Sequence, residues 1–338
     1  MEIIQVARSH DAMINGAGAA PGGRLFASTP RWTEVRPPGV CEVQADGSLK
    51  AYPGGDWHHW TRGMPGTDRF VNVHSIHCDR FNHLWVVDDA APKQNVDDTV
   101  RPKLVEFDLG TDRLVGVYEF DLAAAPAGSV LGHVRCDATH IYTTESHHGA
   151  IIVTERKSGR SRRIFDGDPR RLADRSILPV VEGNPFEKTG HVPIVVNLNL
   201  LELNGGYLYF TCLFGPMLRR VPLAAVQDAG LSAADLGAQV EDVVAIPPCA
   251  GIMAGPNGNL YLSSFTQNAI LRVDPAGRLS TVISDPRIAF PNEGCVGPDG
   301  FLYFPASQAN RIAMHQPDAV SRVKLPWEIL KIDLATVS

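Results

Sequence analysis

Apolar and polar positions alternate with a period of two along most of this chain, in short runs broken by Gly, Asp and Asn. That is the signature of half-buried β-strands joined by tight turns. The stretch from 71 to 89, VNVHSIHCDRFNHLWVVDD, shows the unit: Val73, Ile76, Leu84 and Val86 mark two strands, and Asp79 to Asn82 supply residues that tolerate the turn between them. A turn followed by Leu or Ile and then an aromatic occurs six times, as GGRLF (22–26), FNHLW (81–85), ATHIY (138–142), GGYLYF (205–210), NGNLY (257–261) and DGFLY (299–303). Five of these continue into a second hairpin, for example VCEVQADGSLKAY (40–52) and AILRVDPAGRLSTVI (269–283), as a four-stranded blade requires. The sixth ends in the single strand WEILKIDL (327–334), so its missing partner is expected to be the N-terminal EIIQVA (2–7). The pattern predicts an all-β fold, a six-bladed β-propeller built as a single domain over 1–338, with the ring closed by pairing the N-terminal strand with the C-terminal blade. Three connections, 90–101, 166–193 and 306–326, exceed what blade geometry needs and are candidates for lids; helix is expected only near 223–230.

Composition narrows the function classes. The chain of 338 residues is 44% apolar and 20% charged, with a formal net charge of −6. Mild acidity without a clustered basic face argues against nucleic acid as a partner, and the Arg160–Arg163 cluster with Arg170 and Arg171 reads as a solvated turn. No apolar run reaches the roughly 20 residues of a membrane span, and the N-terminus lacks the basic-then-apolar order of a secretory signal. A soluble, cytoplasmic protein acting on a small molecule is expected, its oligomeric state open. The six cysteines show no CxxC spacing, and Cys78 and Cys136 read as small buried residues.

Several stretches resemble the bacterial branch of the yellow and major royal jelly protein family: FASTPRW (26–32), HLWVVDDAAPK (83–93), KLVEFDLGTDRLVGVYEF (103–120), FTQNAILR (265–272) and DPRIAFPNEG (285–294). The resemblance implies a six-bladed propeller related to the gluconolactonase and strictosidine synthase groups, and a range of roles from pigment-pathway tautomerase-like to nutritional or signalling. Against the family's pattern, acidic positions at the axis are replaced. Gly132 and His133 follow Leu131, Asn197 and Leu198 stand for Asp-Gly, Ala250 follows Cys249, and Asn292 and Glu293 follow Pro291. Glu145 and Ser146 are followed by His147 and His148.

In a propeller the first strand of each blade lines the central channel, so residues far apart in sequence meet at one mouth. Aligning the repeats on their turns brings together His74, Gly132 or His133, Asn197, Ala250 and Asn292 or Glu293, with Asp88 and Glu145 at strand ends behind them. Imidazoles and carboxylates in a low-dielectric mouth suit proton abstraction and return. The acid/base set expected is His74, His133, Glu145 and Glu293. Asn197 and Asn292 are expected as donors to a developing oxyanion, with Asp88, His147 and His148 as further substrate contacts. The reaction class is a proton-transfer rearrangement of the tautomerase, isomerase or cyclase type. The alternatives are a metal-dependent lactonase-like hydrolase and a non-catalytic binding or interaction propeller. No cofactor is firmly implied; a divalent metal, if present, would fall to His74, His133 and Glu293. His77 reads as a packed strand residue, and His83 and His140 as solvated turn residues.

Overall fold

The computed structural model describes residues 1–96 and 99–337; Asp97 and Asp98, within the first long connection, and Ser338 lie outside the described residues. Six antiparallel four-stranded sheets follow one another along the chain. Their first strands are Gly16–Ala19, Val73–Cys78, Leu131–Cys136, Leu198–Asn204, Ile252–Ala254 and Cys295–Val296. Each first strand packs against the next, and Cys295–Val296 returns to Gly16–Ala19, so the six blades form a closed ring. Ile4–Ser9 pairs antiparallel with Trp327–Asp333 and completes blade six. Closure by both chain termini removes the sheet edge that would otherwise template association.

The repeated aromatic has a local cause. At the turn of several hairpins an Asp carboxylate accepts backbone N–H groups, and the aromatic that follows reaches back to the same carboxylate. Asp79 accepts from the N–H of Phe81 and His83 and from Trp85 Nε1 at 2.9 Å. Asp137 accepts from Thr139 and His140 and from the Tyr142 hydroxyl at 2.7 Å. Asp299 takes the Tyr303 hydroxyl at 2.7 Å. Between blades, apolar faces fill the wedge, as where Phe26, Val73, Ile76, Val86 and Phe107 form one buried cluster. Among the described residues the α-helices are two short ones, Leu223–Gln227 and Ala233–Ala238, beside blade four.

The three long connections converge over one end of the channel. The stretch between blades three and four folds into two small hairpins, Val180–Val181 with Asn184–Pro185 and Glu187–Lys188 with Val192–Pro193. It is tied to the 306–326 connection by Thr189 N–H to Met314 O at 3.1 Å, Gly190 N–H to Pro317 O at 3.1 Å and an ion pair of Glu182 with Arg311. Phe186, 4% exposed, anchors it in an aromatic nest with Phe214, Phe265 and Phe290.

Candidate functional site

Beneath this roof lies a cavity of about 920 Å³, open solvent included, at the mouth of the channel. Its polar lining comes from strand starts and strand ends of successive blades. His74, Asn199 and Asn292 come from the channel side, and Asp89 and Ser146 follow the second strands of blades two and three. The three long connections contribute Gln94, Phe186 with Lys188, and His315 respectively.

The first strands of blades two, three and four are each bulged where they reach the mouth. Register slips between Val73 and Ser75, between Leu131 and Val134, and between Leu198 and Leu200. A bulge re-aims the side chain it carries, and bulges concentrate beside active sites for that reason. The bulged positions are His74, Gly132 with His133, and Asn199. At Gly132 the blades approach so closely that a Cβ would sit 2.6 Å from Thr144 Oγ1 and 2.6 Å from the Asn199 amide nitrogen. Only glycine fits there, which leaves Asn199 room to face the cavity.

His74 is the best-held of the polar groups. Its Nδ1 lies 3.2 Å from Asp89 Oδ2, and its ring stands edge-on to Trp32 at 5.2 Å between centroids. Asp89 is in turn fixed through Oδ1 by Asn72 Nδ2 at 2.8 Å and the N–H of Ala91 at 2.9 Å. Burial raises the Asp89 carboxyl above its ordinary range, opposed by the bond to His74. The other imidazole nitrogen, Nε2, has no hydrogen-bond partner among the described residues, and neither does the side-chain amide of Asn199. Trp32 Nε1 is buried and also unpaired. Asn292 bonds Asn15 through Nδ2 and its own neighbour Glu293 N–H through Oδ1, and Asn15 reaches the His74 carbonyl at 3.0 Å.

Under the cavity floor a buried ion cluster fills the channel. His133 Nδ1 stands 3.1 Å from Glu293 Oε1, at ion-pair distance although off the line of a hydrogen bond. Arg135 bridges two carboxylates, Glu293 at 2.8 Å and Glu202 at 2.9 Å. Burial would raise the Glu293 carboxyl, but His133 and Arg135 hold it down at about 2. The rings of His133 and His74 are 6.3 Å apart.

The expected residues therefore divide. His74, Asn292 and His147 line the cavity; His133 and Glu293, both 1% exposed, lie behind it. Glu145 and Asp88 are set apart from it because their oxygens are committed. Glu145 accepts the N–H groups of His147 and His148 and pairs with Arg163 at 3.1 Å, fastening the turn of blade three. Asp88 accepts from Val71 and Asn72 and pairs with Lys103 at 2.5 Å, both side chains fully buried. Asn197 ties the carbonyl of His147 to the N–H of Ala173, and His148 turns to the carbonyl of Ala127. His83 is not a solvated turn residue: it pairs with buried Glu106 at 2.6 Å.

For a divalent ion, the trio His74, His133 and Glu293 does not bring three ligand atoms together. The cluster that does, among the described residues, is Asp79, His83 and Glu106. There Arg156, the Tyr118 hydroxyl and Trp85 Nε1 already occupy the oxygens, so the set is an ion-pair network rather than a fit for a metal. Missing from the sequence reading were Asp89, Asn199, Trp32, Lys188 and His315. Asp89 and Asn199 carried a signal, the Asp88–Asp89 doublet and the Asn at two-residue spacing from Asn197. Trp32 closes the quoted FASTPRW stretch after the second strand of blade one, while Lys188 and His315 sit in connections with no repeat to align.

The family model for major royal jelly protein matches residues 71–292. The chain belongs to the major royal jelly protein family. That match covers blades two to five and most of the lining of the mouth. Curated proteins give no match. Among solved structures, a streptogramin B lyase is similar at TM-score 0.55 and 12% identity, covering 98% of this chain and 96% of that one. Virginiamycin B lyase from Staphylococcus aureus is similar at TM-score 0.54 and 12% identity, covering 98% and 99%. A Thermus thermophilus protein named as a putative oxidoreductase (glucose dehydrogenase) reaches TM-score 0.56 at 16% identity, covering 98% and 99%. At such identities the likeness is one of fold alone. No helix among the described residues is long and apolar enough to cross a membrane.

Proposed function

We infer that the mouth of this family member catalyses proton transfer on a small molecule, with His74 as the general base. The observation that carries the reading is the Asp89–His74 pair, whose remaining imidazole nitrogen is unpartnered in a roofed, largely apolar cavity. A carboxylate on Nδ1 holds the proton there and leaves the Nε2 lone pair for substrate, the arrangement that a general base requires. His74 Nε2 takes a proton from carbon next to a carbonyl, and the negative charge moves to the carbonyl oxygen. The free amide of Asn199 and the remaining N–H of Asn292 are the donors for that oxygen. Asp89 balances the imidazolium that forms. His133, with the Arg135–Glu293 ion pair, supports the site from below.

Return of the proton at a second carbon gives a tautomerase or isomerase. Departure of a leaving group after the same first step gives a lyase, and the lyase names of two structural neighbours favour keeping that branch. Among the described residues, no three His, Cys, Asp or Glu ligand atoms converge at the mouth, which counts against the metal-dependent hydrolase. The test is a panel of carbonyl compounds with acidic α-hydrogens, followed by absorbance and proton NMR. Turnover of at least one compound, reduced about 10²–10⁴-fold in His74→Ala, is expected; equal turnover by the variant would overturn the assignment.

A further inference from the structure

The chemical class of the substrate is legible in the charges lining the mouth, and this inference rests on the proton-transfer reading above. The acidic group of the lining, Asp89, is already satisfied by His74, Asn72 and the N–H of Ala91. The cationic group is not. Lys188 extends from the hairpin that roofs the cavity, and its ammonium makes no hydrogen bond or ion pair with any described residue. Acids close to it in sequence are bonded elsewhere: Glu187 lies 2.6 Å from the His191 ring nitrogen, and Glu182 pairs with Arg311. The surrounding wall is apolar, with Trp32, Phe290, Leu213 and Ile194 among the lining residues. Lys188 is half-buried among these residues, and a charge-assisted bond to an anion suits an ammonium in such surroundings.

We propose that the mouth binds small organic anions, a carboxylate seated on Lys188 and a flat apolar body lying between Trp32 and Phe290. The reacting carbon then faces His74 while the anionic end is held by the roof. Lys188 is thus a specificity-determining residue delivered by the insertion between blades three and four. The free amide of Asn199 and the unpaired Trp32 Nε1 remain for a second oxygen on the same molecule.

The test uses the full chain and a matched pair of probes, 2-naphthoate and its neutral counterpart 2-naphthylmethanol, titrated by calorimetry and ligand fluorescence. The expected result is tenfold or tighter binding of the acid, with the His74 imidazole resonances shifting on its addition. Lys188→Met should weaken naphthoate about tenfold and leave the alcohol unchanged, while Lys188→Arg retains most of the preference. Equal binding of acid and alcohol by the wild type, equal weakening of both by Lys188→Met, or no response of His74 to naphthoate would each overturn the proposal. These readouts need no turnover, so the two readings fail separately. Loss of turnover in His74→Ala with no acid preference removes the anion and keeps the base. An acid preference with turnover indifferent to His74 does the reverse.

Discussion

Blade two carries two histidine–carboxylate pairs at opposite ends of the same strands, and they have different fates. At the turn end, His83 meets Glu106 at 2.6 Å, and Glu106 also receives Arg156 at 2.6 Å and the Tyr118 hydroxyl at 2.7 Å. Every oxygen there is saturated by protein, so the pair fastens neighbouring strands and blades. At the mouth end, His74 meets Asp89 at 3.2 Å, and the carboxylate is fixed only on the side away from the cavity. The imidazole keeps one nitrogen for something else. His83 Nε2 likewise has no partner among the described residues, so the two pairs are told apart by place: His74 lines the roofed cavity and His83 sits at the turn end, away from it. Buried polar groups that are fully satisfied stabilise, and one left open onto a cavity is available for chemistry.

Mutating both ends breaks the comparison most directly. His74→Ala is expected to lower turnover about 10²–10⁴-fold with little change in Tm, whereas His83→Ala should leave turnover within about threefold and cost about 1–3 kcal/mol of stability in urea unfolding. The ion cluster under the floor sharpens it through pH. Glu293 is held at about 2 against an ordinary value of 4.5, so the native state binds its proton less tightly than the unfolded chain does. Its stabilising contribution is present above about 4.5 and is lost as pH falls toward about 2. The urea midpoint of the wild type should fall across that window, and Glu293→Gln should start lower at neutral pH and fall less steeply. At the mouth, Asp89→Asn keeps the size of the side chain but removes the charge that orients His74. A loss of about 10–100-fold in kcat with a small effect on KM is expected, because the amide either presents the wrong donor to Nδ1 or fails to balance the imidazolium. The smallest effect belongs to the roof: Arg311→Ala breaks the partly exposed pair with Glu182, should cost about 1 kcal/mol or less, and should speed proteolysis between 166 and 197.

The propeller was legible because its signal is repeated. Six turns with an aromatic after them locate six hairpins, and the unpaired strand at 327–334 asks for the N-terminal partner that Ile4–Ser9 supplies. The mouth was legible only where the repeat continues. His74 and Asn292 fall on it, but the bulge in the first strand of blade four puts Asn199 rather than Asn197 at the cavity, and at blade two the lining residue is Asp89, one position past the end of the second strand at Asp88. One position separates Asp88, a buried clasp bonded to Val71, Asn72 and Lys103, from Asp89, which lines the cavity. Glu145 misled for a related reason: a carboxylate at a strand end also serves to hold the N–H groups of the following turn. Lys188 and His315 lie in connections that have no sibling, and only the fold brings them over the channel.

The claim at the centre of this account is that an imidazole held by Asp89 moves a proton to and from carbon. The measurement closest to it is solvent deuterium incorporation at the α-carbon of a bound carbonyl acid in D2O, followed by NMR and run in parallel on wild type, His74→Ala and His83→Ala. Exchange by the wild type and by His83→Ala, abolished in His74→Ala, is the predicted result. Exchange that survives loss of His74, or conversion of the acid without any deuterium at carbon, would contradict it.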